Sequence, residues 1–215
     1  MANTKLATKL IATLPYGQPD LFNPWRDICP RDLESNGPQE KLHRLAQHLD
    51  CEPAIILCGE APGYQGCRHS GVAFTSERLL CEGAIPRIPV PRNRLTNRRL
   101  PYSEPSATIV WRTLNALGIA HNTILWNAVQ LHPGRAGRPD YNRTPKAFEL
   151  AHGKTGLALL VKAFPKAKLI AIGRKAEGQI RVMGIETAGS VRHPANGGAI
   201  LFEQQLTQLL AGDRV

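Results

Sequence analysis

Leu57-Cys58-Gly59-Glu60-Ala61-Pro62-Gly63-Tyr64 decides the fold. The apolar run over residues 53–58 has the length and composition of a buried strand. It stops at Gly59, turns on two glycines and a proline, and sets a carboxylate, Glu60, where a sheet would meet solvent. Two later segments repeat the layout. Thr123-Ile124-Leu125-Trp126-Asn127 ends in an amide, and Ser190-Val191-Arg192-His193-Pro194 ends in an imidazole. An acid, an amide and an imidazole at three strand ends point to one polar pocket, because open α/β sheets bind ligands outside the carboxyl ends of their strands.

Helical patterns lie between the strands. Residues 39–49 place Leu42, Leu45, Ala46 and Leu49 on one face, and residues 76–81 form a short helix. Pro105 sits in the first turn of a helix that Gly118 ends. Thr144-Pro145 opens a long helix with Leu157, Leu160, Val161 and Phe164 on its core face. A strand over 168–172, a helix over 174–183, a short strand over 187–191 and a final helix complete the alternation. The expected fold is α/β: a three-layer αβα sandwich with a central, mainly parallel four-stranded sheet. A length of 215 residues suits one domain spanning residues 1–215, with 1–38 as an irregular N-terminal segment.

Charge narrows the partner. Lys and Arg total 27 against 17 Asp and Glu, a net charge of +10, which favours nucleic acid. Arg87, Arg92, Arg94, Arg98 and Arg99 lie between Gly83 and Ser103 with no acid among them, interleaved with four prolines. Such a stretch predicts a long irregular loop, and long loops in compact domains are often functional. Arg92, Arg94, Arg98 and Arg99 are its candidate DNA contacts. No apolar run reaches the length of a membrane span, and the first fifteen residues lack a signal-like apolar core. A cytoplasmic monomer without an obligate protein partner is expected. Five cysteines without a Cys-x-x-Cys pair, and histidines without zinc spacing, give no metal site. No phosphate-binding glycine motif implies a nucleotide, so no cofactor is expected.

A glycine-proline turn after a strand, then an Asn strand, then a His-Pro turn, resembles the uracil-DNA glycosylase superfamily. Gly59-Glu60-Ala61-Pro62-Gly63 resembles the wording of its family 4. The resemblance runs from about residue 53 to residue 210. It implies a DNA glycosylase of base excision repair, hydrolysing the N-glycosidic bond of uracil and of other deaminated bases in DNA. It implies that His193 stabilises the departing base, that Glu60 assists water, and that Phe74 stacks on the base with Gly59, Ala61, Pro62, Gly63 and Tyr64 around it. Asn127 then recognises the base, since one amide can donate to uracil O4 and accept from N3–H. Asn196 and Gly197 lie in the loop that enters DNA.

The chain also departs from the family. Ala61 stands where the best-known members carry Asp, and Gly66 where family 4 commonly has a second Glu. The cysteines lack the family 4 iron–sulfur spacing, so no cluster is expected. Gly63 replaces a bulky Tyr that crowds the thymine methyl in uracil-specific members, which leaves room for larger bases. The missing Asp keeps an alternative open: a non-catalytic uracil- or DNA-binding protein on the same fold.

Overall fold

The computed structural model describes residues 3–212. Helix α1 (Thr4–Ala12) buries Ala7, Leu10 and Ile11. This corrects the irregular segment expected over 1–38: apolar positions three and four apart make one helical face. The strand β1 (Leu21–Phe22) precedes α2 (Pro38–His48), on which α1 packs. The motif strand is β2 (Ile55–Gly59). Short helices α3 (Cys67–Ser70) and α4 (Glu77–Cys81) and the longer α5 (Pro105–Ala116) lead to β3 (Thr123–Asn127). The strand β4 (His132–Pro133) pairs antiparallel with β1.

The single helix expected after Thr144-Pro145 is two, α6 (Ala147–Ala151) and α7 (Lys154–Ala163). They part near Gly153, whose Cβ would lie 1.8 Å from the Ala128 carbonyl oxygen, so the break lets the chain touch the loop after β3. Then come β5 (Lys168–Ile172), α8 (Arg174–Val182), β6 (Gly189–Val191) and α9 (Ala199–Ala211).

The main sheet has the order β3-β2-β5-β6, with every pair parallel. Strand side chains alternate between two cores, as the period of two requires. Ile56, Cys58, Ile124, Trp126, Leu169 and Ala171 join the layer of α1, α2, α7 and α8. Ile55, Leu57, Leu125, Ile170, Ile172 and Val191 join the layer of α4, α5 and α9. The expected three-layer sandwich is therefore the observed one. The chain leaves β2 for β3 on one side and returns to β5 on the other, so the carboxyl end of β2 is the switch point where α/β ligands bind. None of the described helices is long and apolar enough to cross a membrane.

The arginine–proline stretch carries no helix and no strand, as expected. It is nonetheless ordered by one buried acid, Glu77. Its carboxylate accepts from Arg94 Nε (2.7 Å), the backbone N–H groups of Leu95, Thr96 and Tyr102, and the Thr96 hydroxyl (2.7 Å). Burial opposes the charge, but these donors outweigh it and hold the Glu77 carboxyl below its usual value. Arg87 is also committed to structure, donating to the carbonyls of His48, Ala120 and Thr123. Removing a fully buried, fully paired carboxylate leaves its donors unpaired, so Glu77→Ala should cost about 3–5 kcal/mol in a urea melt. Because the folded value is depressed, the Glu77 contribution is present above the unfolded carboxylate range and is lost as pH falls through the folded value. The difference in stability between wild type and variant should therefore shrink in acid.

Candidate active site

Strand pairing brings the first two polar strand ends together. Gly59 of β2 and Asn127 of β3 are register partners. A Cβ on Gly59 would lie 2.5 Å from the Phe74 ring and 3.2 Å from Asn127 Oδ1, so only glycine admits both neighbours. Phe74 is buried and has φ +47°, a left-handed conformation that is rare for a bulky residue. Its ring centroid lies 5.8 Å from that of His193, two residues beyond β6. The structure thus gathers Gly59, Phe74, Asn127 and His193 from four separate segments. The side-chain amide of Asn127 has no hydrogen-bond partner among the described residues, although Asn127 is only 4% exposed. A nearly buried amide with open valences suits an incoming polar ligand.

The state of His193 follows from one contact. The Ala195 backbone N–H donates to His193 Nδ1 at 3.1 Å. Burial, aided by the nearby Arg192, lowers the imidazole below its usual value. A neutral ring that accepts at Nδ1 carries its proton on Nε2, where it can donate. The next loop holds Asn196 (φ +53°) and Gly197 (φ +76°), both exposed.

His132, in the second His-Pro dipeptide, is placed otherwise. It is fully buried and pushed down to about 3 by burial and by Arg68. Arg68 Nη1 donates to its Nδ1 (2.8 Å), so its Nε2–H meets Asn142 Oδ1 (3.0 Å), which also accepts from the Tyr64 N–H (2.9 Å). His132 therefore braces the motif loop, and nothing in the dipeptide itself distinguishes it from His193.

Glu60 is half-buried, and its carboxylate has no hydrogen bond among the described residues. Burial raises its pKa, and Lys175 partly offsets this. Ala61 is partly buried against the core and Pro62 is buried. Tyr64 packs edge-on against Tyr102 at 6.1 Å, and Arg98 lies 4.2 Å above the Tyr102 ring. Of the candidate DNA arginines, Arg98 thus sits beside the motif loop, Arg92 and Arg99 are exposed, and Arg94 is tied to Glu77.

The space beside Gly63 is not open. A Cβ there would lie 2.8 Å from Glu104 Oε1, and one on Gly66 would lie 2.1 Å from Glu104 Oε2. Sequence reasoning missed Glu104, which precedes Pro105 at the start of α5. Its Oε2 is buried with no partner, and burial raises the carboxyl to about 7.

Cys29, Asp32 and His69 also converge, with ligand atoms within 4.8 Å of one another. Lys41 Nζ already fills that cluster as its cation, 2.6 Å from Asp32, and His69 Nδ1 is equally close to the same carboxylate.

SMUG2 shares this architecture. The crystal structure of wild-type Pedobacter heparinus SMUG2 matches 99% of this chain and 98% of its own, with a TM-score of 0.66 and 13% sequence identity. The likeness at that identity is one of fold. No protein-family model and no curated protein matches the chain.

Glu104 supplies a test of the site's electrostatics. A carboxyl raised on folding contributes fully below the unfolded value near 4.3 and loses that contribution as pH rises towards about 7. Glu104→Gln cannot ionise. Its melting temperature relative to wild type should therefore increase from pH 4.5 to pH 8; a difference that stays constant would show that Glu104 is not held neutral.

Proposed function

We propose that the protein is a DNA glycosylase that hydrolyses the N-glycosidic bond of uracil, and of other deaminated bases, in DNA. One observation carries the proposal: an unpartnered amide, an aromatic ring and a neutral imidazole with a free Nε2–H meet at the carboxyl end of the central strand. The fold shared with SMUG2, a member of the uracil-DNA glycosylase superfamily, supports it.

The target base leaves the stack, since its glycosidic bond is out of reach inside a duplex. Phe74 takes the base face, and base–aromatic stacking contributes about 1–3 kcal/mol. Asn127 donates to O4 and accepts from N3–H of uracil, a pattern that cytosine opposes. As the C1′–N1 bond breaks, its electron pair stays on the base, and His193 Nε2–H donates to the O2 of the resulting anion. Water adds to C1′ and gives up its proton, with Glu60, a carboxylate at the end of β2 without a hydrogen-bond partner among the described residues, as the candidate acceptor. A neutral imidazole is well suited to this step: its donor stabilises charge that grows only in the transition state. Tyr64 and the loop over 62–64 wall the pocket. Glu104 occupies the place of a bulky residue at 63, so the range of bases depends on its carboxyl rather than on empty space.

The non-catalytic alternative rests on Ala61, where no Asp can activate water. Substitutions separate the two. His193→Ala should reduce single-turnover uracil excision by about 10²–10³, while binding of uracil-containing DNA changes little. Asn127→Asp should slow excision of uracil as well. Normal excision by His193→Ala would remove the leaving-group role.

A further inference from the structure

A cavity of about 300 Å³ lies away from the Phe74–His193 pair, with Phe22, Arg68, His132, Arg135 and Arg138 among its lining residues. Arg68 is 7% exposed and is its innermost charge. The guanidinium stacks 3.7 Å over the Phe22 ring, donates to the neutral His132 and to Cys29 Sγ (3.6 Å), and leaves Nε buried with no partner. No carboxylate among the described residues pairs with it. Asp32, the buried acid nearby, is engaged by Lys41 and His69. Asp20, the one acid lining the cavity, is engaged by Arg143 (3.1 Å) and Lys146 (3.4 Å). A buried cation without a counter-charge is unfavourable, so an anion in the cavity would stabilise this one.

The rim is built before any ligand arrives. Arg143 Nε donates to the Gly134 carbonyl (2.8 Å) and its Nη2 to the Asp20 carbonyl (2.9 Å), which also accepts from the Gly134 N–H (2.9 Å). A turn closed by the Arg138 N–H on the Arg135 carbonyl (2.9 Å) then presents both exposed arginines. Planar guanidinium forks match phosphate oxygens, and a rim fixed in advance loses little entropy on binding. The chain Arg68–His132–Asn142–Tyr64 joins this cavity to the motif loop.

We infer that the cavity is an anion site that takes a backbone phosphate of the DNA strand whose base enters the candidate active site, an inference that rests on the glycosylase proposal above. The site positions the strand: a phosphate held against Arg68, Arg135 and Arg138 fixes where the neighbouring nucleotide can leave the stack.

The test uses Arg135→Ala combined with Arg138→Ala, both exposed and outside the core. Affinity for a uracil-free duplex is measured across a salt series, and thermal protection by inorganic phosphate is measured alongside. The double variant should bind several-fold more weakly at low salt, with a log–log salt slope shallower by about 1 for each arginine that meets a phosphate. Unchanged affinity and slope would overturn the site. Phosphate protection that the variant loses, with DNA affinity unchanged, would reassign the cavity to a small free phosphate and overturn the strand assignment. The readout does not depend on excision. A wild type that excises uracil but binds DNA equally well without the two arginines sinks the phosphate site alone. A wild type that excises nothing, while the variant loses DNA affinity, supports the site and sinks the glycosylase proposal.

Discussion

The contact between Gly59 and the Phe74 ring is the constraint on which the candidate active site depends. The ring lies where any side chain at position 59 would project, and it does so from a left-handed backbone that costs a phenylalanine about 1–3 kcal/mol. Neighbouring bonds hold that conformation. Ser70 Oγ engages both backbone groups of Val72, the Thr75 hydroxyl donates to the Ala73 carbonyl, and Trp111 Nε1 donates to Thr75 Oγ1. Phe74 is thus gripped on both sides and set between Asn127, which pairing with Gly59 fixes, and His193, which the turn after β6 delivers. A rigid aromatic platform beside an open amide lowers the ordering cost of taking in a flat polar ligand.

Buried charge does the corresponding work for the loops. Acids are the minority in this chain, and besides the unpartnered Glu104 three of them are placed inside with partners. Glu77 gathers the arginine–proline stretch, Glu149 pairs with Arg143 (2.6 Å) beneath the loop over 134–139, and Asp32 joins Lys41 to His69. Each fixes a segment by supplying several hydrogen bonds at once, which is how a long irregular stretch becomes ordered without regular structure. With these acids engaged internally, Arg92, Arg98, Arg99, Arg135 and Arg138 stay exposed. The net positive charge is thereby displayed at the surface, where it can attract a polyanion.

The sheet and the three polar strand ends were legible because their signals are local: short apolar runs, a glycine-proline turn, and the alternation of strand with helix. Helix α1 was missed because its two lysines obscured a face made by Ala7, Leu10 and Ile11. Glu77, Glu104 and the Arg68–His132–Asn142 chain were not legible, since each is defined by partners brought from distant segments by tertiary packing. The same cause explains the arginines. Arg94 and Arg98 look alike in sequence, yet one is bound to a buried acid and the other lies over an aromatic ring beside the motif loop. Gly63 shows the converse: its missing side chain suggested an open space that Glu104 in fact occupies.

The central claim is that this pocket breaks a glycosidic bond rather than merely holding a base. Chromatography of the small-molecule products after incubation with a uracil-containing oligonucleotide tests it most directly, with an alkali-treated aliquot run on a denaturing gel. Free uracil in the same amount as alkali-labile sites, with the strand intact before alkali, is the result that the account predicts. Tight binding of the oligonucleotide with no free base and no alkali-labile site would contradict it.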